Sequence, residues 1–174
     1  MKGKDLTSVG SEKIRELEDL AKILESHRSR NQKVVQCHGV FDLLHLGHIH
    51  FLRAARELGD ELVVIVANDA TVRRMKREPV VPATIRAEMV AALKPVDHAV
   101  VGREGDMLDI IVEEIRPHII ALGHDQELFE PKALEAKLAE RGHVAKVVRL
   151  PKLEHGLAGT RKIVARILRI FGQE

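Results

Sequence analysis

Two histidines three positions apart, His45 and His48, flank Gly47 in the stretch Gly39-Val40-Phe41-Asp42-Leu43-Leu44-His45-Leu46-Gly47-His48. Ahead of it, Lys33 to His38 is a short β-branched run that predicts a strand. Beyond it, Ile49, Leu52 and Ala55 recur on one helical face, with Arg53, Arg56 and Glu57 as the charges of the same helix. The stretch is therefore a strand-to-helix turn, and its imidazoles meet the new helix at its N-terminus. Unpaired N–H groups and the positive end of the helix dipole make that end attractive to phosphate. At this spacing the two rings project to one side, and Gly47, lacking Cβ, lets an anion approach the backbone.

Other residues could serve the same anion. Arg73, Arg74, Lys76 and Arg77 form the densest basic cluster, followed by Glu78-Pro79-Val80-Val81-Pro82, which cannot be continuous helix. The cluster reads either as solvated surface or as a cationic flap over phosphates. Arg86, early in a predicted helix over 84–93, is available to the nucleotide or the acceptor, or is a surface arginine. Gly123-His124-Asp125-Gln126 ends another strand, and Leu157-Ala158-Gly159-Thr160-Arg161-Lys162 opens the last helix as a second candidate phosphate site.

No nucleophile–base pair is evident. The inventory suits direct attack by a substrate phosphate on the α-phosphorus of a nucleoside triphosphate. The second pKa of a phosphomonoester is near ~6, so such an attacker is already ionised and needs no general base. Catalysis is then positioning and charge stabilisation, helped by Mg2+ on the triphosphate, for which the sequence identifies no protein ligand. His45 and His48 are expected to hold the triphosphate, while Lys76 and Arg161, with Thr160, follow the charge onto pyrophosphate. The expected nucleotide contacts are Gly39, Val40, Phe41, Gly47, Asp69, Arg86, Gly123, Asp125, Gln126 and Thr160, and the expected acceptor contacts are Asp42, Arg74 and Arg77. A metal cluster of the histidines with His50, His38 and Cys37 competes with this reading. Against it, His50 is two positions from His48 and faces elsewhere, and paired-cysteine spacing is lacking. A non-catalytic nucleotide-binding module is a further alternative.

The elements that must position these groups alternate steadily. Ser11 to His27, with Ser11 as N-cap and Ile14, Leu17, Leu20, Ala21 and Leu24 as apolar stripe, predicts an N-terminal helix. Strands are predicted at 33–38, 61–67, 97–101, 118–122 and 144–150, with helices after 45, from 70 to 76, and over 84–93, 106–115, 131–141 and 157 onward. The near-continuous apolar run Glu61 to Ala67 indicates a strand buried on both faces of a parallel sheet. The expected fold is α/β: a doubly wound, Rossmann-like, five-stranded parallel sheet with helices on both faces and the site along its carboxyl edge. Residues 1–32 are an N-terminal helical extension, a packing or dimer element, and 33–174 the nucleotidyltransferase domain.

Composition narrows the classes. A chain of 174 residues suits one α/β domain, and 28 basic against 26 acidic residues is too balanced to predict nucleic-acid binding. With no Trp or Tyr and four Phe, stacking platforms for single strands are nearly absent. Apolar runs are too short for a membrane span, the N-terminus lacks the apolar core of a secretory signal, and a single cysteine fits a reducing compartment. A cytoplasmic protein, and a homodimer, is expected. No Gly-x-x-x-x-Gly-Lys-Ser/Thr occurs, and no Gly-x-Gly-x-x-Gly follows a strand. These absences argue against a P-loop kinase and a conventional nicotinamide dehydrogenase.

Gly-x-Phe-Asp-x-x-His-x-Gly-His resembles the signature of the cytidylyltransferase-like, or HxGH, nucleotidyltransferases. The resemblance covers about residues 33 to 171 as successive motifs. It implies triphosphate contacts from His45 and His48, a basic residue from the Arg74–Arg77 group, and an arginine at Arg86. Ala158-Gly159-Thr160-Arg161-Lys162-Ile163 resembles the family's late Ser/Thr-rich helix start but lacks its serines. For the acceptor the likenesses diverge. Val64 to Asp69, Arg86 to Val90, Leu93 to Asp97 and Leu122 to Gln126 resemble single-domain FAD synthases, which implies transfer from ATP to FMN. That group tends to carry cysteines near the final motif, and none follows Cys37 here. Val35 to Asp42 looks more like sugar-phosphate nucleotidyltransferases, and Leu150 to Glu154 is similar to glycerol-3-phosphate cytidylyltransferase.

Overall fold

A computed structural model of the chain describes residues 11–75, 78–126 and 130–172. Five parallel strands form one sheet: β1 (Val34–Gly39), β2 (Glu61–Val66), β3 (His98–Val101), β4 (Ile119–Leu122) and β5 (Lys146–Arg149). Their order is β3-β2-β1-β4-β5, so the chain leaves β1 toward β2 on one side and returns toward β4 on the other. The carboxyl ends of β1 and β4 therefore flank the crevice where doubly wound sheets bind ligands. Each strand is short and apolar because both faces are covered; five of the six residues of β2 are buried.

The connections sort onto two faces. Helices α2 (Leu46–Arg56) and α4 (Ala83–Ala91) place Leu52, Ala55, Ala87, Val90 and Ala91 against Val35, Cys37, Val64 and Val66. Helix α3 (Asp69–Met75) precedes α4 in the same crossover. On the opposite face, Leu134 and Leu138 of α6 (Pro131–Glu140) pack with Ile120 and Leu122. Among the described residues, no crossover from β1 or β2 covers Val63, Ile65 and Val100 on that face. The N-terminal helix α1 (Leu17–Ser29) fills the gap with Leu20 and Leu24, both fully buried.

Two sequence expectations shift. The N-terminal helix starts at Leu17, six positions after the expected cap Ser11, which instead opens a short 3-10 turn (Ser11–Lys13). Ile14 is drawn into a parallel bridge with Ala99 on the outer edge of β3, and Arg15 N–H donates to Ala99 O at 3.1 Å. That extended pairing forbids helix there and covers an otherwise open sheet edge. Second, the helix expected over 106–115 is one α-turn, α5 (Met107–Asp109), that widens into a π-helix over Ile110–Ile115. The wider turn lets Ile110, Ile111 and Ile115 all reach the core. Thr160–Phe171 forms α7, none of whose residues is buried. Among the described residues no helix is long and apolar enough to cross a membrane.

Outside the Gly39–His48 turn, burial lowers the pKa of three imidazoles: His38, to about 4, His98 and His143. Glu61, beside His27 (3.1 Å) and His98 (3.7 Å), is shifted upward by burial and by Asp97, a single opposing group. Below the ordinary imidazole value near ~6.5, the unfolded chain takes up protons that the folded one refuses. Stability from the three imidazoles is therefore complete above that pH and declines as the medium is acidified. Differential scanning calorimetry should show a lower Tm at pH 5.5 than at pH 7.5; a higher one would contradict this reading.

Candidate active site

The turn after β1 is built against local preference. Phe41 and Leu43 both sit in left-handed backbone (φ 54 and 55), strained for such side chains and tolerated only where the surroundings dictate it. The Phe41 ring folds back beneath Gly39, where a Cβ would come within 2.9 Å of Cε2. Only glycine fits there. This brings the chain to His45 in extended conformation (φ −144, ψ 171), as N-cap of α2.

His45 Nδ1 accepts from the backbone N–H of His48 at 3.4 Å, and the same N–H reaches His45 O at 3.0 Å. A ring nitrogen that accepts carries no proton, so the neutral imidazole holds its hydrogen on Nε2, the atom left to donate to an incoming oxyanion. Burial lowers the His45 pKa, with Asp125 opposing. The rings of His45 and His48 stack at 3.7 Å and 17°, and Phe41 supports His48 at 5.3 Å. At Gly47 a Cβ would stand 3.0 Å from the His45 ring, so glycine leaves that imidazole its place. Two imidazoles and the first amides of a helix thus share one edge of the crevice.

Three expected ligand contacts are engaged within the protein itself. Arg86 has no exposure: Nε donates to Val81 O (2.8 Å), Nη1 to Val40 O (2.5 Å) and Nη2 to Asp69 Oδ1 (2.6 Å). Both the nucleotide and the acceptor role expected of Arg86 are corrected, because its guanidinium is sealed among these partners. Asp69, expected to touch nucleotide, spends Oδ1 as its counter-charge. Asp42, expected to bind acceptor, is 3% exposed, and its carboxylate accepts from the N–H groups of Val80 and Val81, both at 3.0 Å. Asp42 and Arg86 together fasten the 78–82 loop to the turn after β1.

The remaining groups divide. Gln126 Oε1 accepts from Gly123 N–H (2.7 Å), and its Nε2 donates to His38 O (3.0 Å), holding the loop after β4 against the end of β1. Thr160 Oγ1 donates its hydrogen to Asp42 O (3.1 Å), which anchors the start of α7. Arg161 is exposed beside it. Arg74 is exposed and lies 3.4 Å from Glu104. Lys76 and Arg77 lie outside the described residues. Sequence reasoning missed Arg149, whose Nη1 donates to Gly123 O (3.0 Å) and Gln126 O (3.1 Å). A basic residue at the carboxyl end of the last strand was the available signal.

Removing a buried charge's partner costs about 3–5 kcal/mol. Urea denaturation should therefore find Asp69→Ala, which orphans the enclosed Arg86, destabilised by about that amount. Unchanged stability would return Arg86 and Asp69 to a ligand-contact role.

Comparison with known proteins agrees with the geometry. A Cytidylyltransferase-like family model matches residues 36–166. The FAD synthase of Aciduliprofundum boonei is 53% identical over 135 residues, covering 77% of this chain and 89% of that protein. The FAD synthase of Pyrococcus abyssi is 48% identical, covering 76% and 90%. The crystal structure of the lipopolysaccharide core biosynthesis protein from Thermoplasma volcanium superposes with a TM-score of 0.68 at 43% identity, covering 71% of this chain and 99% of that one. The strained turn after β1, the parallel sheet and these likenesses converge: the chain belongs to the cytidylyltransferase-like family of nucleotidyltransferases, alongside the archaeal FAD synthases.

Proposed function

We propose that the protein is an FMN adenylyltransferase, joining ATP and FMN to give FAD and pyrophosphate. The observation that carries the reaction type is the pair of stacked imidazoles at the start of α2, beside the sheet's ligand crevice. The acceptor rests on about half identity to FAD synthases over most of both chains. The sugar-phosphate and glycerol-phosphate likenesses of the opening and of Leu150 to Glu154 are shorter.

A phosphate oxygen of FMN attacks the α-phosphorus of ATP, forming the new P–O bond as the bond to the β-phosphate oxygen breaks. The attacking phosphate is already ionised above its second pKa near ~6, so no residue has to remove a proton. His45 Nε2–H, His48 and the first amides of α2 bind the charge that spreads over the phosphoryl oxygens. Lys76, Arg161 and the start of α7 take up the charge passing to pyrophosphate, with Arg74 and Arg77 on the acceptor. Asp125, close enough to influence His45 electrostatically, favours the charged imidazole against the effect of burial. The backbones of Gly39, Val40, Phe41 and Gly47 and the Gly123–Gln126 loop frame the nucleotide. Mg2+ enters as part of the triphosphate substrate; among the described residues no group of three His, Cys, Asp or Glu is disposed to hold a metal ion. On this reading the chain works in the cytoplasm as a homodimer on small molecules, not on nucleic acid or membranes. Residues 1–32 serve as a packing extension to the catalytic unit 33–174.

The test pairs ATP or CTP with FMN, glycerol 3-phosphate and a sugar 1-phosphate, and follows pyrophosphate release and FAD by chromatography. FAD should form from ATP and FMN, and His48→Ala should lower kcat by about 10²–10³-fold while retaining part of the ATP affinity. Pyrophosphate release with another acceptor and none with FMN would reassign the substrate. Full turnover by His48→Ala would overturn the mechanism.

A further inference from the structure

The turn after β4 is tied at both ends. Gly123 to Gln126 closes on itself, with Gln126 N–H donating to Gly123 O at 3.3 Å. Gly123 N–H donates to Gln126 Oε1, and Gln126 Nε2 donates to His38 O on β1. From the other side comes Arg149, paired with Leu122 in the register of β4 and β5. One of its nitrogens, Nη1, donates to Gly123 O (3.0 Å) and to Gln126 O (3.1 Å). The carbonyls at both ends of the turn therefore rest on a single charged group. The two middle residues, His124 and Asp125, are exposed. A Cβ on Gly123 would stand 3.3 Å from Asp125 Oδ1, so the carboxylate folds back over the first residue of its own turn.

Resting on the adenylyl-transfer reading above, we propose that Arg149 is a positioning residue for the nucleotide, holding the Gly123–Gln126 turn where the nucleoside end of ATP lies. The phosphates belong to the starts of α2 and α7, where helix amides and basic side chains donate. The turn offers the opposite. Its tip is the carboxylate of Asp125, which repels phosphate and accepts from hydroxyl or amino groups. Base and ribose are the parts of ATP that carry such donors. A rim that meets them has to keep its place, and two ties set that place. Gln126 binds the turn to β1, at the end where the histidine turn begins, and Arg149 binds it to β5. Hydrogen bonds from a charged donor are about twice as strong as neutral ones. Without Arg149 the turn is held from the β1 side alone. Both contacts leave one nitrogen, so a lysine ammonium, likewise a single charged nitrogen with several hydrogens, restores much of the hold. Methionine restores none of it.

Arg149→Met and Arg149→Lys test this by calorimetric titration with ATP and by steady-state kinetics in both directions, FAD and pyrophosphate being the substrates of the reverse reaction. The methionine variant should weaken ATP binding and raise KM for ATP at least fivefold, with KM for FMN and for pyrophosphate within twofold of the parent. Arg149→Lys should recover most of that loss. Unchanged ATP affinity in the methionine variant overturns the assignment. Equal rises for ATP and pyrophosphate also overturn it, since they make Arg149 a direct phosphate ligand. Equal rises for ATP and FMN do the same, marking a general staple of the fold. Should Arg149→Met fail to fold by circular dichroism, Arg149→Gln, neutral but still a donor, takes its place with the same expected pattern. A parent protein that binds ATP yet makes no FAD defeats the reaction reading alone, and the ATP titration still decides the role of Arg149.

Discussion

A guanidinium sealed from water must find its compensation inside the protein, and Arg86 finds it at three places that matter. Its donors reach the carbonyl of the strained turn after β1, the carbonyl of the 78–82 loop and the carboxylate at the head of α3. Asp42 meets the same loop from the opposite side and offers its own carbonyl to Thr160. One charge pair and one buried carboxylate thus lock together the turn after β1, the 78–82 loop, the head of α3 and the start of α7. Left-handed backbone at Phe41 and Leu43 is sustained by this enclosure, since neither residue favours it locally.

The sheet supplies the coarser constraint. Because β1 sits centrally and its neighbours are reached in opposite directions, the loops after β1 and β4 part from one another and leave a slot. Gln126 and Arg149 set how far they part, tying the β4 loop to the end of β1 and to β5. The imidazoles then need little else: a helix start beneath them, a neutral ring with its hydrogen facing outward, and Phe41 behind. Rigid positioning suits a reaction whose nucleophile arrives already charged.

Much of this was legible in the residues. The alternation of apolar runs and amphipathic stretches gives the order of elements, and the Gly39–His48 spacing gives the turn, the helix start and the shared side of the two rings. What escaped was the destination of polar side chains whose partners are distant in the chain. Arg86 and Asp42 read as ligand contacts in a linear reading, and only the fold reveals that residues 5 to 46 positions away absorb them. The N-terminal segment misled for a related reason: Ile14 fits a helical stripe, yet pairing with the edge of β3 outweighs local propensity. The π-helix over Ile110–Ile115 likewise answers to sheet packing rather than to any local residue preference.

The central claim is that the phosphate tail of the nucleotide rests on the first turn of α2 beneath two stacked imidazoles. A crystal structure with a non-hydrolysable ATP analogue tests it most directly. Density for the phosphates within hydrogen-bonding distance of His45 Nε2 and the first amides of α2 is the predicted result. Phosphates bound elsewhere, with both rings still packed on each other and out of contact with them, would contradict it.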